Sequence, residues 1–178
     1  MKFLVLSFCI FLFGSLLVAR ADTATNLING HLVILQDGSL QPVDDSALDK
    51  IEYFALYYAA KWCPSCHTFT PKLVRFYNDY KPSHSNFELV FISEDNDSNA
   101  MLSYVKEMAM PWPVFKYNNL MHNGFGTFKA PGIESFGSDG IPDLVLVDAS
   151  GKVLSDSYRN GKYAGPSMVI EDIKRMVH

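Results

Sequence analysis

The chain has three cysteines in 178 residues, too few to staple a small fold with disulfides. It has 15 Lys and Arg against 19 Asp and Glu, for a formal charge of −4. That balance excludes a sequence-independent grip on nucleic acid, which needs clustered cations against phosphates. There is no internal repeat and no low-complexity linker, so the length fits one domain with short appendages. The longest apolar run, residues 3–18, is 16 residues, short of the roughly 20 that a membrane span needs. What the chain does have is 48% hydrophobic residues, ample for a packed core, which excludes wholesale disorder.

The apolar run sits at the N-terminus, after Met1 and Lys2, and ends in Ala19-Arg20-Ala21 before Asp22. One positive charge, a short apolar stretch and small residues at −3 and −1 make a secretory signal peptide over residues 1–21. The alternative is a retained anchor. Cys9 lies mid-run behind bulky Phe8, which excludes a lipid-modified cysteine. Cleavage would leave 157 residues at charge −6 with only Cys63 and Cys66, in an exported setting that permits disulfides. The expected location is therefore outside the cytoplasm: periplasmic if the source is a Gram-negative bacterium, otherwise secreted.

Residues 22–30 read as a lead-in and residues 31–178 as the domain. Residues 31–35 and 40–43, joined by Asp37-Gly38, predict a small hairpin, and residues 44–50 a helical turn. Residues 53–60 (YFALYYAA) and 87–92 (FELVFI) predict strands buried on both faces. Residues 63–80 have helical spacing, with Phe69, Leu73, Phe76, Tyr77 and Tyr80 on one side. A second helix starts at a cap on Asp97 or Ser98 and carries Met101, Leu102, Val105 and Met108. Pro111-Trp112-Pro113 ends it and leads to a strand over 114–117. Residues 118–140 are hard to read: five glycines among aromatics, in a stretch too long for a plain loop. Residues 144–147 and 153–155 predict a hairpin, and Pro166 opens a last helix through Met176. This order predicts an α/β sandwich, a mixed sheet with helices on both faces.

Trp62-Cys63-Pro64-Ser65-Cys66 lies where the buried strand gives way to the first long helix. Two residues between cysteines at a helix start put both sulfurs on one turn, within disulfide distance. The first sulfur then faces unpaired N–H groups and the positive end of the helix dipole, which favours thiolate. Cys63 is therefore the expected nucleophile and Cys66 the resolving thiol. A structural disulfide closing so small a loop restrains the unfolded chain little. A structural zinc site needs four ligands, and no second pair has ligand spacing. Glu94-Asp95-Asn96-Asp97 lacks the Gly and terminal Glu of a calcium loop. His31, His84, His122 and His178 suggest no joint site.

The segment from Ala60 through Trp62-Cys63-Pro64-Ser65-Cys66 to Phe69-Thr70-Pro71, together with Met110-Pro111-Trp112 and Gly140-Ile141-Pro142-Asp143, resembles the thioredoxin-like superfamily. Within it the likeness is to the tryparedoxin/nucleoredoxin branch, which has a WCPPC motif followed by F-T-P. The resemblance covers roughly residues 30–178. It implies a thioredoxin-like three-layer sandwich with an N-terminal hairpin. It also implies that Pro142 is a cis-proline facing the sulfurs, that Ile141 pairs with an extended client segment, and that Trp62 and Pro64 border that client. Pro71 matches a helix-kinking proline. Three residues depart from the pattern. Tyr57 stands six before Cys63, where thioredoxins have a buried Asp and the branch an aromatic. His67 replaces an Arg and could support the thiolate when charged, although a solvent-exposed helix histidine is the commoner outcome. Asp143 follows the expected cis-proline, and a carboxylate beside Cys63 would raise its pKa.

The function this predicts is an exported thiol–disulfide oxidoreductase acting on disulfide or dithiol client proteins. A thiol electron donor, with a membrane carrier as one source, would recharge it. No cofactor is expected beyond the Cys63–Cys66 pair, no metal, and no nucleic-acid partner. Two alternatives remain: a module binding copper or another thiophilic metal through Cys63, Cys66 and His67, and a peptide-binding holdase without turnover.

Overall fold

The computed structural model describes residues 24–122, 128–129 and 140–178. The expected leader at 1–21 and much of the 118–140 segment lie outside the described residues. Among the described residues, no helix is long and apolar enough to cross a membrane.

The elements run α1 (Ala24–Ile28), β1 (Leu32–Gln36), β2 (Ser39–Pro42), β3 (Tyr53–Ala59), α2 (Pro64–Tyr80), β4 (Phe87–Ser93), α3 (Ser98–Glu107) and β5 (Val114–Phe115). After these come β6 (Met121–His122), β7 (Phe128–Lys129), β8 (Asp143–Asp148), β9 (Val153–Ser155), β10 (Tyr158–Arg159), β11 (Lys162–Tyr163) and α4 (Ser167–Met176). Seven strands form one sheet in the order β2-β1-β5-β4-β3-β8-β9. The strands β3, β4 and β5 are parallel, and β8 runs antiparallel to β3. The predicted hairpin is β1–β2, turning at Asp37 and Gly38 with φ of 48° and 77°.

The run at 53–59 holds the centre of the sheet because it can be buried on both sides. The pleat sends Ala55, Tyr57 and Ala59 to one face, with Leu89, Phe91, Leu144 and Leu146. It sends Phe54, Leu56 and Tyr58 to the other, with Val90, Ile92, Val145 and Val147. The first face is covered by α2 (Leu73), α3 (Val105) and α4 (Ile173). The second is covered by α1 (Ala24, Ile28) and by Leu48 of the short 3-10 turn Asp45–Leu48.

Several elements differ from the expectation. The lead-in contains the α1 turn, whose Ala24 and Ile28 are fully buried. Its exit is tied down where the Gly30 N–H donates to Asp45 Oδ1 at 2.8 Å. Propensity alone does not show a helix this short, because its stability is tertiary. The strand expected over 114–117 stops at Phe115: the Lys116 N–H makes the last bond to the β1 side, at the His31 carbonyl (2.8 Å), and a 3-10 turn begins at Tyr117. On α3 the buried stripe is Met101, Tyr104 and Val105, while Leu102 is only half-buried. Within 118–140 the short antiparallel pair β6–β7 is described. Trp112 is a core residue with no exposure, set edge-on to Tyr57 and Tyr77.

Candidate active site

The buried strand β3 and the helix α2 meet at the Cys motif. Leaving β3, the Lys61 N–H donates to Asp95 Oδ1 at 2.8 Å, and the Ser93 hydroxyl donates to Asp95 Oδ2 at 3.0 Å. Burial pushes the Asp95 carboxyl above its ordinary 3.8, against the lowering pull of those two donors. The loop before the cysteines is thus fixed to the end of β4.

Cys63 is the N-cap of α2, in extended conformation, with Pro64 at the first helical position, where a missing N–H costs nothing. Cys63 and Cys66 form a disulfide, with Cα atoms 5.3 Å apart. The Cys66 N–H donates to Cys63 Sγ at 3.2 Å, and the Ser65 hydroxyl lies 3.3 Å from the same sulfur. These are donors that a thiolate at this position would use, added to the positive end of the helix. Cys63 is 3% exposed and Cys66 is fully buried, so attack from outside meets Cys63 first.

Across from the sulfurs lies the segment 140–142. The Ile141–Pro142 peptide is cis, and the Ile141 carbonyl oxygen is 3.8 Å from Cys63 Sγ. The structure therefore brings together Cys63, Cys66 and Ile141-Pro142, residues widely separated in the chain. Trp62 is 58% exposed beside them, with its indole N–H donating to the Glu94 carbonyl at 3.1 Å. Pro64 and Ser65 are exposed.

Beneath Cys66 is a polar cluster that the sequence did not reveal. Thr70 Oγ1 lies 2.8 Å from the Cys66 carbonyl, 2.7 Å from the Tyr57 hydroxyl and 2.6 Å from the Tyr104 hydroxyl. A hydroxyl has one proton and two lone pairs. The Cys66 carbonyl only accepts, so Thr70 donates to it and accepts from both tyrosines. Burial raises the Tyr57 and Tyr104 phenols above their usual range, Tyr57 far above it, so they remain donors. Tyr57, six residues before Cys63, thus serves this cluster. Pro71 sits inside α2 without ending it.

Neither His67 nor Asp143 directs its side chain at Cys63. His67 Nε2 lies 2.5 Å from the Lys61 carbonyl, which must accept, and the ring packs on Tyr104 at 5.1 Å. The ring meets Lys61, Tyr104 and Glu107, and His67 reaches Cys63 only through its backbone N–H, which donates to the Cys63 carbonyl at 3.2 Å. Asp143 alternates with Val145 and Val147 and pairs with Tyr58, so the pleat places it on the sheet face away from α2. Its carboxylate acts instead on Tyr163, whose phenol is raised by burial first and by Asp143 next. Among the described residues, no three His, Cys, Asp or Glu side chains are grouped so as to hold a metal ion.

A further feature absent from the sequence reading is the hairpin β10–β11. Asn160 and Gly161 both have positive φ, 53° and 73°, the signature of a type I′ turn. The Asn-Gly pair was the signal that could have revealed it. The Tyr163 hydroxyl donates to the Pro142 carbonyl at 2.7 Å.

A disulfide on the first turn of a helix, at the end of a central strand and facing a cis-proline, defines the thioredoxin-fold class. The family model described as thioredoxin-like matches residues 51–153. Probable nucleoredoxin 1 of Arabidopsis thaliana is 32% identical over 136 residues, 75% of this chain and 22% of that protein. Human nucleoredoxin is 30% identical over 115 residues, 65% of this chain and 24% of that protein. This chain thus spans about a quarter of the length of these relatives. Among solved structures, thioredoxin from Wuchereria bancrofti is 27% identical with a TM-score of 0.59, covering 84% of this chain and 96% of that one. Tryparedoxin I from Leishmania major, at 22% identity and a TM-score of 0.55, covers 81% and 85%. The chain belongs to the thioredoxin-like family, and within it the chain is similar to nucleoredoxins and tryparedoxins.

Proposed function

We propose that this protein is an exported thiol–disulfide oxidoreductase that reduces disulfides in partner proteins. The observation that carries the reading is the Cys63–Cys66 disulfide at the N-terminus of α2, with Cys63 Sγ facing the Cys66 N–H and the Ile141 carbonyl. That arrangement suits a sulfur alternating between disulfide and thiolate. The relatives on the nucleoredoxin branch support the same chemistry. The leader-like residues 1–21 support export.

In the reduced protein, the Cys63 thiolate attacks one sulfur of a client disulfide. A mixed disulfide forms and the client's first thiolate leaves. Cys66, as thiolate, then attacks Cys63 Sγ, and the second client thiolate leaves, taking up a proton. Two electrons have passed to the client, and the pair is left as the disulfide of this structure. A dithiol donor returns those electrons by the reverse exchange. Ile141 and Pro142 hold the client segment beside Cys63, and Trp62 and Pro64 border it. No cofactor is required beyond the cysteine pair.

The test has two parts. The chain without residues 1–21 is assayed for insulin reduction, and a Cys66→Ala variant is used to trap a mixed disulfide identified by mass. Reduction, and a trapped client bonded through Cys63, are expected. A protein inert toward insulin and toward glutathione disulfide rejects the reading. Equilibration with glutathione fixes the direction, since about 30 mV corresponds to 1.4 kcal/mol for this couple.

A further inference from the structure

Resting on the oxidoreductase reading, we propose that Tyr163 is a positioning residue for the client site: its hydroxyl holds the Pro142 carbonyl, and the β10–β11 hairpin is the bracket that sets segment 140–142 against the dithiol. The hairpin's two tyrosines pack edge to face, with ring centroids 5.3 Å apart. Both meet the segment. Tyr163 donates to the Pro142 carbonyl at 2.7 Å, and the Tyr158 hydroxyl lies so near Gly140 that an added Cβ would meet it at 3.2 Å.

The bracket is anchored at its base. The Leu144 N–H donates to the Ser157 hydroxyl at 2.9 Å, and Ser157 Oγ lies 3.2 Å from the Leu144 carbonyl. The Ala164 and Gly165 N–H groups both donate to the Ser157 carbonyl, at 2.9 and 3.0 Å. Arg159 Nη2 reaches Asp172 Oδ2 on α4 at 2.5 Å, where the Ser155 hydroxyl also bonds. The hairpin is thus fixed to β8 and α4, while Tyr163 itself is 50% exposed. With the Pro142 carbonyl occupied by Tyr163, the Ile141 backbone, 3.8 Å from Cys63 Sγ, is the part of the segment left for a client strand. Loss of the bond frees the segment to shift relative to the sulfur. Such a shift weakens a client that pairs with the segment and spares a disulfide too small to reach it.

The experiment compares the wild type and Tyr163→Phe on insulin and on hydroxyethyl disulfide, a substrate with no peptide backbone. The expected result for Tyr163→Phe is a KM for insulin raised about three- to ten-fold, the size of one lost hydrogen bond. The kcat and the turnover of hydroxyethyl disulfide stay within about two-fold, which also reports an intact fold. An unchanged KM for insulin overturns the proposal. A parallel fall on both substrates assigns the bond a purely structural role and overturns it too. A wild type inert on both substrates instead rejects the oxidoreductase reading itself.

Discussion

Two helices, α2 and α3, begin at the same edge of the sheet, each following a parallel strand, and their first turns are closed in opposite ways. The N-cap of α3 is the Asp97 carboxylate, which accepts from the Asn99 and Ala100 N–H groups at 2.9 and 2.8 Å. The N-cap of α2 is a sulfur, which accepts from the Cys66 N–H at 3.2 Å. A carboxylate is a strong acceptor at a helix start, and a sulfur a weak one. The first arrangement puts the helix dipole into stability. The second leaves that field free to act on a group whose charge changes during the proposed cycle. Helix α2 can afford the weaker cap because Leu73, Phe69 and Thr70 bury its inner face. The same position in one architecture therefore serves as anchor in one helix and as reaction centre in the other.

The largest way to break the contrast is Cys63→Ser, which replaces the sulfur by a good oxygen cap. Insulin reduction should fall at least about a thousand-fold, while the melting temperature stays near that of the reduced wild type. Retained turnover would show that the chemistry does not use this cap. Next comes Thr70→Val, which keeps the shape but strips the cluster under Cys66. Two buried tyrosine hydroxyls lose their acceptor, and urea unfolding should show a loss of about 1–3 kcal/mol.

A smaller effect is expected at the other cap. Asp97→Ala should cost about 1 kcal/mol in the same urea assay and leave insulin reduction unchanged. A matching loss of activity would show that the two helix starts are coupled. The smallest effect concerns Asp95, which ties the Cys loop to β4 and has a raised pKa. In the unfolded chain it titrates near its ordinary 3.8. Between that value and the folded one, the folded state binds more protons, so stability falls as pH rises through the window. Asp95→Asn keeps an acceptor for the Lys61 N–H and removes the charge. Its melting temperature between pH 4 and 7 should therefore decline less with rising pH than that of the wild type.

Much of this contrast could be read before any coordinates. Cys63, Cys66 and the start of α2 follow from a buried apolar run meeting a helical period, and Asp97 was one of two expected caps. The position of Pro142 came from family likeness, because an X-Pro bond carries no local mark of its isomer. The Thr70 cluster was hidden because its members come from β3, α2 and α3, and each polar residue reads alone as an ordinary helix or strand position. Asp143 was set beside Cys63 by its nearness to Pro142 in sequence. The two-residue period of β8 turns it to the far face. Tyr163 was missed because its strand is two residues long, too brief for any periodicity to register.

The cluster beneath Cys66 has one further consequence. Tyr57 and Tyr104 each point a proton at Thr70, and Thr70 points its own at the Cys66 carbonyl. All three arrows run inward, and the terminal carbonyl can never send one back. For this chain of hydroxyls to carry a proton toward solvent, each would have to reverse and strand the oxygen it now serves. Beneath the sulfurs, the three hydroxyls brace the turn that carries Cys66.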